Sequence, residues 1–319
     1  MSANKATELF SKKGVVLFDA AMGTALQEAG QPPGTGSEEM NLLDPGTVSR
    51  IHRENIRAGS DVITTNTFGV SAMFLRGEKE RALECLAAGV LLAKQAAGRT
   101  AIPRDEETAP SVAFCIGPAG VLLGPFGETS YEMAEEAFEA QAGAGARCGA
   151  DFILLETFAD IEEFARAARV AKKSSGLPVL GTMSFAENGH TYMGATPADL
   201  VSAARAEGLS ALGANCSLGP QEMGPIIEEI MGENAAEGLS GSTGGIQSLP
   251  VIAQPNAGQP VYKDGKTTYE ITTEEFIEGI KKLIDRGISG VGGCCGTTPA
   301  MIAAIRGMID GKNTSGGKK

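Results

Sequence analysis

FILLETFADIEEFARAARVAKKSSGLPVLGTM occupies residues 152–183 and sets the reading of the whole chain. It opens and closes on short apolar runs, Phe152–Glu156 and Val179–Met183, which read as strands buried on both faces. Between them Ile161, Phe164, Ala165 and Ala168 fall on one face of a helix. Strand, helix and strand in that order form one crossover unit of a parallel sheet. Outward from it the same rhythm recurs. Further strands are expected at Val15–Asp19, Asp61–Thr65, Val112–Ile116, Ala211–Asn215, Val251–Gln254 and Gly290–Gly293. Phe276, Ile277, Ile280, Leu283 and Ile284 mark another helical stripe. Thr272 with Glu275 has capping-box spacing, and Thr298 before Pro299 reads as a helix N-cap and first residue. Eight strand-then-helix units without internal sequence repetition predict a (β/α)8 barrel of the TIM type, occupying residues 1–310.

Composition agrees with this. The 319 residues are 42% hydrophobic and 21% charged, enough apolar content for a substantial core. The 43 glycines punctuate the apolar runs, as many tight connections require. Two longer links, Ala97–Pro110 and Asn234–Ser248, precede the third and seventh strands and are expected to be loops on the face opposite the catalytic one. Residues 311–319 are expected to form a disordered tail. A formal net charge of −12 with no basic cluster argues against a nucleic-acid partner. Nothing approaches the ~20 apolar residues of a membrane span, and Met1–Lys13 lacks a signal-peptide core. A cytoplasmic location is expected.

Without a secretion signal the six cysteines read as thiols or metal ligands rather than a disulfide framework. Cys85 and Cys148 lie on helices among Leu and Ala and are expected to pack as small hydrophobes, as is Cys115 at the end of the third strand. Cys216 follows the sixth strand, and Cys294 with Cys295 closes the eighth. A barrel brings these three to its catalytic rim. A redox disulfide between adjacent cysteines requires unfavourable geometry. Three thiolates around a zinc ion leave a fourth position open, the arrangement of a catalytic site. Gly292, Gly293 and Gly296 are expected to let the backbone aim both vicinal sulfurs at one ion.

Zinc suits a thiol substrate. A free thiol, with a pKa near ~8.5, is mostly protonated at neutral pH, and coordination removes the proton. Asp19, Asn66, Glu156 and Asn256 end or follow other strands on the same rim. Two carboxylates there need a cationic partner, which an ammonium group provides. The main-chain amides of Ala20 and Ala21, and those near Met22, are expected to receive a carboxylate. These parts describe an amino acid whose side chain reaches the metal. His190, on the loop after the fifth strand, and His52, on the first helix, are not needed as bases.

The segments FDAAMGT, GSDVITTNTFG, LLETF, GANCSLGP, QPNAG and GGCCGTTP resemble the homocysteine S-methyltransferase domain family, from about Val15 to Met308. Within it they look most similar to the homocysteine-binding domain of cobalamin-dependent methionine synthase. The resemblance implies that Cys216, Cys294 and Cys295 ligate zinc, that Asp19 and Glu156 meet the amino group of L-homocysteine, and that Asn256 supplies a labile fourth ligand. Ala20 departs from the glycine usual after the first Asp. No folate or cobalamin domain is expected within these residues, whether the chain is a stand-alone enzyme or a fragment of a longer synthase, so methyl is expected from methylcobalamin on a separate corrinoid protein or domain. Other donors, S-methylmethionine, S-adenosylmethionine or betaine, are the alternatives. A non-catalytic zinc- or thiol-binding module of a methyltransferase complex and a zinc-stabilised structural barrel are readings of another class.

Overall fold

The structure, a computed structural model, describes residues 5–98, 109–240, 248–263, 266–269 and 271–311. Among the described residues ten strands run in chain order: β1 Val16–Leu17, β2 Val62–Thr64, β3 Ser111–Ile116, β4 Phe152–Phe158, β5 Val179–Met183, β6 Ala211–Asn215, β7 Val251–Gln254, β8 Pro260–Lys263, β9 Lys266–Tyr269 and β10 Gly290–Val291. Eight of them form one parallel sheet in the order β1-β10-β7-β6-β5-β4-β3-β2, wrapped by helices as a (β/α)8 barrel. β8 and β9 form a separate antiparallel hairpin after β7.

β1 and β2 close the barrel mainly through side chains. The backbone supplies Asp61 N–H to Leu17 O at 2.7 Å. Asp61 Oδ2 accepts the Leu17 N–H at 2.9 Å, and at the rim Asp19 Oδ2 accepts the Thr64 N–H at 2.8 Å. Lys13 and Arg306 neutralise Asp61 at 2.6 and 2.7 Å. Strand alternation sends Val16, Phe18, Val62, Ala113, Phe152, Leu154, Leu180, Ala211 and Ile252 into an apolar interior. The helix Lys5–Lys12 stops it from below with Ala6, Leu9 and Phe10. Burying each phenylalanine there contributes roughly 1.5–3 kcal/mol. The interior therefore leaves only the upper rim open to chemistry.

The expected strands all form, β5, β6 and β7 with the bounds read from sequence. β1 and β10 are shorter, because Asp19 and Gly293 already serve the rim. Thr272 and Thr298 cap their helices, accepting from Glu275 N–H and Met301 N–H. In the Ile161–Ser175 helix the buried stripe is Phe164, Ala167, Ala168 and Ala171; Ala165 turns half outward. The expected loop at Asn234–Ser248 is corrected in part. Helix Pro220–Ser240 continues through Asn234, whose side chain bonds Leu249 O and Leu249 N–H. Residues 241–247, 99–108 and 312–319, where the remainder of that loop, most of the other and nearly all of the tail were expected, lie outside the described residues. No helix of the described residues is long and apolar enough to cross a membrane.

Candidate metal and thiol site

Residues Gln254 to Ala257, at the end of β7, form the rack on which the three cysteines hang. Gln254 O accepts the Cys216 N–H at 3.0 Å, Pro255 O accepts the Cys294 N–H at 2.8 Å, and Ala257 N–H donates to Cys295 O at 2.9 Å. Asn256 N–H fixes Leu218 O at 2.8 Å. Residues 79 positions apart are thereby brought together, Cys216 Sγ and Cys295 Sγ at 3.9 Å. All three sulfurs lie within 4.8 Å of one another.

The backbone is bent to achieve this. Cys216 and Ser217 follow β6 with φ of 61° and 57°, and Thr157 sits at 63° beside Glu156. Non-glycine residues rarely occupy this left-handed region except where surrounding bonds hold them. Asn215 provides such bonds, with Oδ1 accepting from Thr157 N–H and Thr182 Oγ1. Of Gly292, Gly293 and Gly296, the last alone has a positive φ, 78°; it also lies under the Tyr269 ring, 2.2 Å from where a Cβ would stand. Gly292 and Gly293 provide room instead of torsion: a Cβ at either would strike Phe18 or Thr297.

The sulfurs open on a cavity of about 370 Å3 lined also by Asp19, Glu38, Glu156, Gln254 and residues Ala20–Thr24. Its lining among the described residues contains no Lys, Arg or His. Burial pushes the Asp19 carboxyl up to about 7, against two bonds from Thr64 and reinforced by the charge of Glu156. Burial likewise raises Glu156, whose Oε1 accepts the Cys115 thiol at 2.7 Å. Cys295 is drawn down to about 3 by the thiols of Cys216 and Cys294. Carboxylates and thiols gathered without a cation are matched by a divalent metal and an ammonium group. The three sulfurs fit zinc by donor chemistry. Asn256 Oδ1 is buried without a hydrogen-bond partner.

Sequence expectation and geometry differ at several residues. The Ala20 and Ala21 amides do not await a carboxylate. They donate to Asn55 Oδ1 at 3.0 Å and Thr297 Oγ1 at 3.2 Å, bonds that knit the rim loops together. Met22 and Gly23 line the cavity at the start of a helix with no side-chain cap. Asn66 is at the cavity, but its amide nitrogen holds Ser37 O and Asn41 Oδ1. Cys85 is buried and Cys148 packs half-buried, whereas Cys115 is buried with its thiol engaged by Glu156. His190 is exposed, bonded to Asn188 O, and His52 is fully buried. Gln254, Asn215 and Tyr269 belong to the site and were not anticipated; Asn215 was detectable as the residue that ends β6 beside Cys216.

A TIM barrel with a three-cysteine, metal-compatible cluster and two carboxylates at its strand ends defines the class. The homocysteine S-methyltransferase family model matches residues 16–309, and the chain belongs to that family. Methionine synthase of Mycobacterium tuberculosis (strain ATCC 25618 / H37Rv) is 29% identical over 309 residues, 92% of this chain and 24% of that protein. Methionine synthase of Mycobacterium leprae is 29% identical over 315 residues with the same coverage. The chain thus spans about a quarter of these relatives. The metallated form of the homocysteine methyltransferase MmuM from Escherichia coli shares the fold, with a TM-score of 0.74 at 20% identity over 96% of this chain and all of that one.

Proposed function

We propose that the chain, as one barrel domain over residues 1–310, methylates the thiol of L-homocysteine to give L-methionine, using zinc held by Cys216, Cys294 and Cys295. The carrying observation is that the three sulfurs share a cavity with Asp19 and Glu156. Asn256 is the labile fourth ligand in this reading, supported by its orphaned Oδ1. Held by Cys216, Cys294 and Cys295, a zinc ion would lower the substrate thiol pKa so that sulfur would enter as thiolate at neutral pH. Asp19 and Glu156 hold the substrate ammonium, whose charge draws both carboxyls back to the ionised form. The amides of Met22 and Gly23 face the substrate carboxylate. The thiol proton passes to solvent water, the sulfur lone pair forms the S–C bond, and the pair from the broken donor–methyl bond stays with the donor.

The donor is methylcobalamin on a corrinoid protein or domain, a reading supported by the two relatives named methionine synthase, of which this chain spans 24%. A small sulfonium or betaine donor is the second reading, favoured by an acidic lining that includes Glu38 and, among the described residues, no Lys, Arg or His. A donor panel at fixed homocysteine tests both. Methionine from methylcobalamin is expected; turnover with S-methylmethionine, S-adenosylmethionine or betaine alone overturns the donor, and methionine from none overturns the enzyme.

A further inference from the structure

Most polar side chains around the cavity have partners inside the protein. Thr64 bonds Asp19, Cys115 bonds Glu156, and Asn215 bonds Thr157. Gln254 differs. It is 4% exposed and lines the cavity, yet its Oε1 is buried with no hydrogen-bond partner. An acceptor left so is costly unless a ligand supplies the donor.

Its direction follows from the strand. Ile252 points into the barrel interior, so Gln254, two residues on, points inward at the rim. The neighbouring strand β10 presents no side chain at Gly290, nor does Gly292 just beyond its end. A Cβ at Gly292 would stand 2.7 Å from Phe18 Cβ and 3.2 Å from Asp19 O. Gln254 therefore faces β1 and Asp19 across bare backbone.

We infer that Gln254 Oε1 is the third acceptor for the substrate ammonium, beside Asp19 and Glu156, and that it selects a thiol bearing an α-amino group over a plain alkyl thiol. This rests on the substrate reading above. An ammonium carries three N–H donors; two carboxylates leave one to be satisfied. A neutral carbonyl takes it without adding charge to a cavity already lined by Asp19, Glu38, Glu156 and three thiols. Gln254 is a specificity residue in this role and not a metal ligand.

Cobalt(II)-substituted protein gives a sulfur-to-metal charge-transfer band that reports thiol entry without turnover. L-homocysteine and its des-amino analogue 4-sulfanylbutanoate are titrated against it. Gln254→Met, close in length and volume, is expected to weaken homocysteine roughly ten- to hundred-fold and to leave the analogue within about twofold. Gln254→Glu, which keeps an acceptor, is expected to retain homocysteine and weaken the analogue. Equal weakening of both thiols in Gln254→Met, unchanged homocysteine binding, or loss of cobalt overturns the assignment. If Gln254→Met does not fold, a Gln254→Glu protein that binds both thiols alike overturns it. A wild-type band that neither thiol perturbs defeats the substrate reading itself, and the role of Gln254 with it.

Discussion

Asn215 and Thr157 clasp each other twice: the Thr157 N–H donates to Asn215 Oδ1 at 2.8 Å, and Asn215 Nδ2 donates to Thr157 Oγ1 at 2.7 Å. One residue precedes Cys216 and the other follows Glu156, so the clasp joins the metal-type cluster to the carboxylate across β4 and β6. Asn215 Nδ2 also lies 3.9 Å from Cys294 Sγ. Replacing Asn215 by Ala frees the left-handed turns at Thr157 and Cys216. Zinc affinity is expected to fall about 10- to 100-fold, as for partners behind metal ligands, with a stability loss of about 1–3 kcal/mol. Zinc competition with a chromogenic chelator and thermal unfolding of the apo-protein check the two effects separately.

The cysteines themselves are predicted to control metal content and leave the barrel standing. Cys294→Ala and Cys216→Ala each remove one of three sulfurs at the rim, above the apolar interior. Zinc per chain is expected to drop to about one-tenth of wild type or less under the same dialysis, with far-UV circular dichroism unchanged. Full zinc retention in either variant contradicts the ligand set.

His52 is fully buried on helix Pro45–Ala58, and neither ring nitrogen has a hydrogen-bond partner. Burial lowers its pKa to about 4, against about 6.5 in an unfolded chain. The unfolded state therefore takes up the proton first, and this residue's contribution to stability falls as pH drops from about 6.5 to about 4. His52→Leu removes that slope. The Tm difference between variant and wild type is expected to widen in the variant's favour on acidification; carboxylates with raised pKa values, such as Glu163, are common to both and cancel.

Asp61 is predicted to hold the barrel's seam. Its carboxylate bonds the Leu17 N–H, Lys13 and Arg306, and only 10% of its side chain is exposed. Asp61→Ala leaves the buried Leu17 N–H without its acceptor and the Arg306 guanidinium with Asp310 as its remaining carboxylate, a loss on the order of 3 kcal/mol. Urea denaturation measures it; a change below about 0.5 kcal/mol, the level of an ordinary surface site, contradicts the seam.

The barrel was legible because its strands are buried on both faces, so each stands out as a short apolar run such as Phe152–Leu155 or Leu212–Ala214. The hairpin β8–β9 escaped notice, since Pro260–Lys263 is exposed and carries no burial pattern. At the site, Cys216, Cys294 and Cys295 announced themselves through strand-end position, which topology converts into proximity. Ala20 and Ala21 did not behave as read. Their amides are taken by Asn55 and Thr297, residues 35 and 276 positions away, and no local pattern encodes such partners. Gln254 was hidden for a similar reason: it reads as the last residue of a strand until Gly290 and Gly292 beside it expose its inward path.

X-ray absorption at the zinc edge addresses the central claim most directly. The zinc-loaded protein is expected to show three sulfur neighbours and one oxygen or nitrogen, and four sulfurs once L-homocysteine is added. A first shell that stays the same with saturating homocysteine, or one that lacks three sulfurs at the outset, contradicts the account.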